Sequence, residues 1–279
     1  MSTPPGPRAE AAPRIAARSS FYTGMRILPR EQRDAMFAVY KFCREVDDIA
    51  DGDGTREARF QALSLWRGAI EALYAGRGDE RTAPLAEPVR RFGLDKADFI
   101  AVIDGMAMDV ERDITAPDRA TFDLYCDRVA VAVGRLSCPI FGLPRETGLA
   151  LSHHLGRALQ ITNILRDIDE DLAIGRLYLP RESLAAAAIA ETGPAAILAH
   201  PALDRVCRGL AEEARTHFQT ARAIMDDCPR RRVKAPRLMA AAYGSVLDRL
   251  IASGWRPPRK RVRVDKLRLL LAVLRHGLF

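Results

Sequence analysis

The chain of 279 residues is poor in cysteine and in aromatic residues, and it lacks long apolar runs. Its five cysteines are scattered, odd in number and never spaced as CxxC. We therefore do not expect a disulfide framework or a zinc site, and a reducing intracellular compartment is favoured. No stretch reaches the ~18 apolar residues that span a bilayer. The C-terminal run LRLLLAVLRHGLF (267–279) is short and interrupted by arginine, so it either packs on the core or lies on a membrane surface.

The sequence also lacks sustained alternation of apolar and polar residues, internal repeats and any linker within residues 19–279. Apolar residues instead recur every three or four positions, which predicts one all-α domain over 19–279 with roughly ten helices and a basic C-terminal segment. Residues 1–18 are rich in Pro, Ala and Arg and lack an apolar signal core, so we expect a disordered tail. The helical segments are 30–50, 56–75, 95–113, 118–133, 146–173, 202–226 and 236–252.

Positive charge exceeds negative charge, with a formal net charge of +7. Much of the excess lies in RRRVK (230–234) and RPPRKRVR (256–263). Such runs are either a solvated basic face or a surface for an anionic partner, such as a phosphorylated substrate or a membrane. Aromatic residues are not interleaved with them and no reading motif is present, so we do not expect a nucleic-acid partner.

Acidic residues crowd the end of the first predicted helix, in FCREVDDIADGDG (42–54). Carboxylates are unfavourable at a helix C-terminus, where the helix dipole is already negative. Tyr40, Arg44, Asp47, Asp48 and Asp51 form one stripe of this helix. Carboxylates four residues apart are separated by about 6 Å along the axis, which is too far for one compact all-protein cage. The spacing suits Mg²⁺ ions that keep several waters and share phosphate oxygens.

A second stripe occurs in GRALQITNILRDIDEDLAIGRLYLP (156–180), where Gln160, Asn163, Asp167 and Asp171 recur every three or four residues. One acidic run on a helix is usually a solvated patch. Two runs, each flanked by apolar helix and joined to arginine, favour a slot that holds metal ions and a diphosphate.

Two other groups of polar residues are not expected to bind metal. Asp104, Asp109 and Asp113 recur at near-helical spacing, but nothing supports a third metal stripe. His153 and His154 are consecutive, so on a helix they point in different directions and a joint metal role is not expected. Capping or surface roles are the expectation for these histidines.

The chain resembles the squalene and phytoene synthase family, whose members join two prenyl diphosphates head to head. The resemblance extends over nearly all of 19–279, and four collinear segments carry it. They are SSFYTGMRILP (19–29), AVYKFCREVDDIAD (38–51), YCDRVAVAVGRLS (125–137) and ALQITNILRDIDEDLAIGRLYLP (158–180). It implies an isoprenoid-synthase helical bundle with a central apolar cavity.

The resemblance also implies roles for the matched residues, and Gln160 joins them because it shares the second stripe. The expected metal ligands are Asp47, Asp48, Asp51, Asn163, Asp167 and Asp171. The expected substrate-binding residues are Ser20, Tyr40, Arg44, Gln160, Asn163, Arg166, Arg176 and Tyr178. The expected catalytic residues are Asp47, Asp51, Tyr125, Asp167 and Asp171, with Tyr125 steering the carbocation.

Within the family, the chain looks most like bacterial members that form presqualene diphosphate for hopanoid pathways. The resemblance implies Mg²⁺, farnesyl diphosphate as substrate, no NADPH, downstream hopanoid-pathway enzymes as partners and peripheral contact with the inner face of the membrane.

Small residues in VAVAVG (129–134) either line an aliphatic cavity or allow close helix packing. Three alternatives stay open: a phytoene synthase using geranylgeranyl diphosphate, a squalene synthase using NADPH, and a non-catalytic assembly factor on the same fold.

Overall fold

A computed structural model describes residues 25–190, 193–259 and 261–262. The predicted tail (1–18), Ser20 and the terminal run 267–279 lie outside these residues. The helices are α1 (Arg30–Ala50), α2 (Arg56–Tyr74), α3 (Ala83–Phe92), α4 (Lys96–Glu111), α5 (Arg119–Cys126), a π turn (Asp127–Val131), α6 (Ala132–Ile140), α7 (Arg145–Arg166), α8 (Ile168–Ala173), α9 (Arg181–Ala186), α10 (Pro194–Ala199), α11 (Leu203–Asp226) and α12 (Arg230–Ser253).

The prediction of an all-α bundle is confirmed, because the described residues contain helices and one isolated bridge, between Thr115 and Leu177, but no strand. Within the described part of the chain, no helix combines the length and the apolar character needed to cross a bilayer. All five cysteines are free thiols, as their scattered spacing predicts.

The structure differs from the predicted helices at several boundaries. The segment predicted as one helix over 146–173 is interrupted at Asp167, whose φ of −101° and ψ of 17° separate α7 from α8. The predicted start of the last helix at Pro236 is wrong, because α12 begins at Arg230 and contains that proline. The short helices α3, α9 and α10 were not predicted, since each is only 6 to 10 residues long and gives little periodicity.

Side-chain caps fix several of the helix starts. Thr55 accepts a hydrogen bond from the Ala58 amide at the start of α2 (3.2 Å), and Asp118 accepts one from the Thr121 amide at the start of α5 (2.7 Å). Each cap satisfies an amide that has no partner within its helix, and such a cap contributes about 1 kcal/mol.

An aromatic cluster joins the first, second and fourth helices. The ring of Phe42 from α1 meets Trp66 from α2 edge to face, with centroids 5.3 Å apart, and meets Phe99 from α4 at 5.1 Å. Both Phe42 and Phe99 are fully buried. Edge-to-face pairs of this kind add about 0.5–1.5 kcal/mol each beyond the burial of their area. The cluster therefore fixes α1, which carries the first acidic run, against α4.

Residues 119–140 form one continuous rod of α5, the π turn and α6. Glycines bring α4 and α7 into close contact with this rod. A Cβ on Gly105 of α4 would lie 2.8 Å from Val129 Cγ1 in the π turn. A Cβ on Gly156 of α7 would lie 2.9 Å from the Cα of Val131. Gly134 makes a similar close approach to Ser152, at 2.9 Å. These glycines therefore set the spacing between the helices.

An apolar cavity of about 70 Å³ lies between α6, α7 and α12. Its lining includes Ala130, Gly134, Leu155, Leu159, Pro236 and Met239. Of the small residues noted in the sequence, Ala130 and Gly134 line this cavity, while Ala132 is fully buried elsewhere in the core. The small residues therefore both line a cavity and allow close helix packing, because Gly134 does both.

We expect Gly156→Ala to lower the free energy of unfolding by about 1–3 kcal/mol, because the new methyl group meets backbone atoms that cannot rotate away. Urea denaturation followed by circular dichroism measures the change. The matched control is Gly209→Ala in α11, where nothing lies within 4 Å of the new Cβ and the substitution should stabilise by about 1 kcal/mol. Equal effects of the two substitutions would contradict the packing argument.

Candidate active site

The first acidic run occupies the last turn of α1 and the residue that follows it. Arg44 reaches along the helix to both neighbouring carboxylates, with 2.5 Å from Nη1 to Asp47 Oδ2 and 2.5 Å from Nη2 to Asp48 Oδ1. Burial raises the pKa of the Asp47 carboxyl to about 6 against the effect of Arg44, and the charges of Asp51 and Asp48 add to the rise. One arginine therefore does not neutralise this cluster. Tyr40, one turn earlier, is half-buried, and burial raises the pKa of its hydroxyl.

The second acidic run begins on α7 and continues past the interruption at Asp167 onto α8. Burial raises the pKa of the Asp171 carboxyl to about 7, and the negative charge of Asp167 contributes to the rise. Gln160 and Asn163 lie on the last turns of α7 and are half-buried. The Oδ1 atom of Asn163 is buried without a hydrogen-bond partner. Such an oxygen costs free energy unless a cation or donor reaches it.

Arg176 connects the two runs. After α8, Gly175 adopts a φ of +81°, a conformation that suits glycine, and the chain turns back toward α4. Leu177 then bonds to the backbone beyond α4, with its amide 2.7 Å from the Ile114 oxygen. This holds Arg176 so that its Nη1 donates to Asp51 Oδ1 at 3.0 Å. The segment that follows the second acidic run is thus in direct contact with the end of the first.

Asp109 of α4 lies between the two runs, a position that its spacing in the sequence does not predict. Its Oδ2 accepts a hydrogen bond from the Tyr125 hydroxyl (3.1 Å), and its Oδ1 accepts one from the Tyr178 hydroxyl (2.7 Å). Its charge adds to the raised pKa values of both Asp47 and Asp171. Burial raises the pKa of Asp109 itself, while Arg176 and the two hydroxyls act in the opposite direction.

A signal for Asp109 was present in the sequence. Asp109 is 5% exposed and shares the buried face of α4 with Val102 and Met106, so it is a carboxylate on an apolar stripe. The other two acids of this series, Asp104 and Asp113, form ion pairs outside the slot. Asp104 pairs with Arg67, and Asp113 pairs with Arg56. The structure therefore separates Asp109, which lies beside the two acidic runs, from Asp104 and Asp113, and the spacing alone does not predict this division.

Tyr125 and Tyr178 form a stacked pair above the Asp109 carboxylate, with ring centroids 4.7 Å apart. Burial, followed by the charge of Asp109, raises the pKa of both hydroxyls. Both therefore stay protonated at neutral pH and act as donors. Tyr125 immediately precedes Cys126 and the π turn, a distortion that is frequent at functional sites.

Part of the basic C-terminal segment folds onto the second acidic run. Arg261 lies 2.9 Å from Asp167 Oδ1 through Nη2, and Arg259 lies 2.6 Å from Asp169 Oδ1. Arg166 also pairs with Asp167 from the neighbouring position, with its Nε 2.9 Å from Oδ1. Arg259 is therefore mostly buried in its ion pair, whereas Arg261 is paired with Asp167 and still half-exposed.

Together the two runs, Asp109 and the arginines form an acidic slot whose carboxylates outnumber its guanidinium groups. The predicted site residues that the structure describes, together with Asp109, are Tyr40, Arg44, Asp47, Asp48, Asp51, Tyr125, Gln160, Asn163, Arg166, Asp167, Asp171, Arg176 and Tyr178. Oxygen donors dominate this set, which fits a hard cation such as Mg²⁺. The orphaned Asn163 oxygen and the raised pKa values of Asp47 and Asp171 point the same way, because a bound cation would relieve both.

The fold defines a class of helical synthase. A dehydrosqualene synthase solved in complex with a ligand superposes with a TM-score of 0.80 at 25% identity, covering 92% of this chain and 89% of that one. The squalene synthase HpnC from Alicyclobacillus acidocaldarius superposes with a TM-score of 0.77 at 28% identity, covering 88% and 93%.

Sequence comparison makes the family explicit: the chain belongs to the squalene/phytoene synthase family, whose profile matches residues 16–268. It is 56% identical over 264 residues to the presqualene diphosphate synthase of Rhodopseudomonas palustris, covering 95% of each chain. It is also 56% identical to the presqualene diphosphate synthase of Zymomonas mobilis, covering 93% of this chain and 89% of the relative. Identity to the chloroplastic phytoene synthase of an Oncidium hybrid is 35%, covering 91% and 63%.

The excess negative charge of the slot gives a pH-dependent prediction. In Mg²⁺-free buffer, the folded protein keeps a proton on Asp171 up to about pH 7, while the unfolded chain releases it near pH 4. The free energy of unfolding should therefore fall as pH rises from about 4 to 7. Asp171→Asn cannot ionise, so at pH 8 it should be more stable than the parent protein by on the order of 1–2 kcal/mol, with little difference at pH 4.5.

Urea denaturation at the two pH values measures this difference. The control is Asp53→Asn, which removes an exposed carboxylate from the loop after α1 and should change stability by less than about 0.5 kcal/mol at both pH values. A lower stability of Asp171→Asn at pH 8 would show that the slot is not electrostatically strained.

Proposed function

We propose that this protein is a magnesium-dependent prenyltransferase that condenses two farnesyl diphosphates head to head into presqualene diphosphate, with release of one diphosphate. The single observation that carries the proposal is the meeting of two acidic runs at Arg176 and Asp109. The names of the relatives at 56% identity support the choice of product. The intact acidic runs argue against a non-catalytic assembly factor, which would gain nothing from two crowded carboxylate clusters.

The metal ligands we propose are Asp47, Asp48 and Asp51 from the first wall, with Asn163, Asp167 and Asp171 from the second. When bound, Mg²⁺ neutralises the charge of the diphosphate leaving group. Arg44, Arg166 and Arg176 carry the fork-shaped donors that suit diphosphate oxygens. We propose that they exchange part of their present carboxylate contacts for the substrate. Tyr40, Tyr178, Gln160 and Ser20 complete the proposed substrate contacts.

The proposed reaction begins with cleavage of the C1–O bond of one donor, whose electron pair leaves with the diphosphate. The double bond of the second farnesyl diphosphate attacks the resulting allylic cation, and loss of a proton closes the cyclopropane. Tyr125 and Tyr178 hold the Asp109 carboxylate by hydrogen bonds, and a negative charge fixed in this way stabilises a positive charge that develops near it. We therefore propose Asp109 as an additional residue that stabilises the cation.

The prenyl chain requires a dry environment, because water would capture the cation. The apolar cavity between α6, α7 and α12 supplies one. Its volume of about 70 Å³ is below the ~300 Å³ of ordinary ligand sites. We propose that it enlarges at Met239, because methionine is unbranched and adapts its shape readily.

The surroundings of the enzyme are part of the same proposal. We propose that residues 19–279 act as one domain in the cytoplasm, with peripheral contact to the inner face of the membrane, and that the product passes to hopanoid-pathway enzymes. The net charge of +7 and the exposed Arg230 and Arg231 support contact with an anionic surface.

Asp51→Asn should lower kcat by at least about 100-fold while the fold is retained, because one proposed metal ligand and the partner of Arg176 is neutralised. Steady-state kinetics with farnesyl diphosphate and Mg²⁺, alongside circular dichroism, measure both effects. Asp53→Asn makes the same change of charge two positions away, on an exposed residue, and should keep near-parental turnover. Parental turnover by Asp51→Asn would contradict the metal assignment.

Product analysis separates the candidate activities. The purified protein is incubated with Mg²⁺ and either farnesyl or geranylgeranyl diphosphate, with and without NADPH. We expect a C30 product that retains one diphosphate and forms without NADPH. Squalene formed only with NADPH, or phytoene from geranylgeranyl diphosphate, would replace the proposed product with one of the alternatives. The phytoene alternative is retained because of the 35% identity to a phytoene synthase.

A further inference from the structure

Three histidines meet on the surface between α7 and α11, outside the acidic slot. His153 and His154 belong to α7, and His217 belongs to α11. One ring nitrogen from each lies within 4.8 Å of the others. The Nδ1 atoms of His154 and His217 are 3.0 Å apart. The mechanism proposed above uses none of these residues.

The sequence predicts that the consecutive His153 and His154 point in different directions. It gives no sign that His217 lies next to them. Neighbouring positions on a helix are separated by about 100°. The ring centroid of His217 lies 5.1 Å from that of His154 and 5.6 Å from that of His153. The residue supplied by α11 therefore lies close to both rings, and the cluster depends on tertiary packing.

The Nδ1 atoms of His154 and His217 share a hydrogen bond, which a cation bound to both rings would replace. Burial, and then the charge of Arg157, lower the pKa of His217 to about 4, so its ring is neutral at pH 7. The charge of Arg157 is balanced by Asp123 and by Glu213, whose Oε1 lies 3.2 Å from the Arg157 Nη2. No carboxylate pairs with the three histidines among the described ion pairs.

We propose that His153, His154 and His217 form a binding site for one late-transition divalent cation, with Zn²⁺ the best match. Neutral imidazole is a preferred ligand of Zn²⁺ and its neighbours in the transition series, whereas Mg²⁺ prefers oxygen. Two nitrogens bound to one tetrahedral Zn²⁺ at 2.0–2.1 Å are about 3.4 Å apart. The observed separations, 3.0 Å for one pair and at most 4.8 Å overall, need only small side-chain rotations.

The site is separate from the proposed reaction. His154 precedes Asp167 by thirteen residues, which is about 20 Å along a helix. A cation held by α7 and α11 links the two helices of the bundle. Because it binds the folded state, it stabilises that state by mass action. The inference does not depend on the proposed prenyl transfer, and its test can fail independently of it.

The test uses the full chain without a histidine tag, freed of metal by a chelator, in buffer with excess Mg²⁺ to occupy the acidic slot. Titration with Zn²⁺ against a chromophoric chelator gives stoichiometry and affinity, and Co²⁺ serves as a visible-light probe of tetrahedral coordination. We expect one equivalent of Zn²⁺ per chain. At a free concentration about 100 times Kd, Zn²⁺ should raise Tm by about 5 °C.

The variants His153→Gln, His154→Gln and His217→Gln should each weaken Zn²⁺ binding at least ~10-fold. His153 is exposed, so its replacement separates loss of a ligand from loss of packing. His200→Gln, which replaces a histidine outside the cluster, and Asp167→Asn in the slot should bind Zn²⁺ as the parent does. Absence of stoichiometric binding, unchanged binding by His153→Gln and His217→Gln, or its loss in Asp167→Asn would overturn the proposal.

Discussion

Excess negative charge in a half-buried slot is the constraint on which the rest of this structure depends. Burial raises the pKa of Asp47 and Asp171, and the nearby arginines do not cancel the effect. Arg176 is the element that makes the arrangement possible, because it contacts Asp51 while lying near Asp109. Without such a cation, the two acidic runs would repel one another. Arg176 therefore keeps the two runs together, while the carboxylates of the slot still outnumber its guanidinium groups.

Helix packing supplies the rigidity that this charge arrangement needs. Because Gly105 and Gly156 have no side chain, α4 and α7 pack closely against the rod that contains the π turn. Tyr125 sits just ahead of that turn and donates to Asp109, which belongs to α4. The close approach of backbones and the buried hydrogen bonds therefore reinforce each other. A carboxylate in an apolar setting is tolerated because two hydroxyls and a guanidinium surround it.

Local patterns were enough to predict much of this molecule, and tertiary contacts decided the rest. Periodicity predicted the long helices, and the spacing of Asp47, Asp51, Asp167 and Asp171 predicted two acidic runs. The surroundings of Asp109 cannot be predicted locally, because its two hydrogen-bond partners come from other parts of the chain. The interruption at Asp167 leaves no trace in apolar spacing, and the arginine contacts of the C-terminal segment join residues about ninety positions apart. The histidine cluster needed the packing of α11, which no local pattern contains.

The walls of the apolar cavity differ in how readily they accept larger side chains. Its α6 and α7 walls contain Gly134 and Gly156, where an added methyl group would collide with the facing helix, whereas its α12 wall presents Pro236 and the adaptable Met239. Under the proposal that this cavity receives the prenyl chain, changes of product length would act mainly through α12 side chains, while the charged slot and the bundle around it stay unchanged.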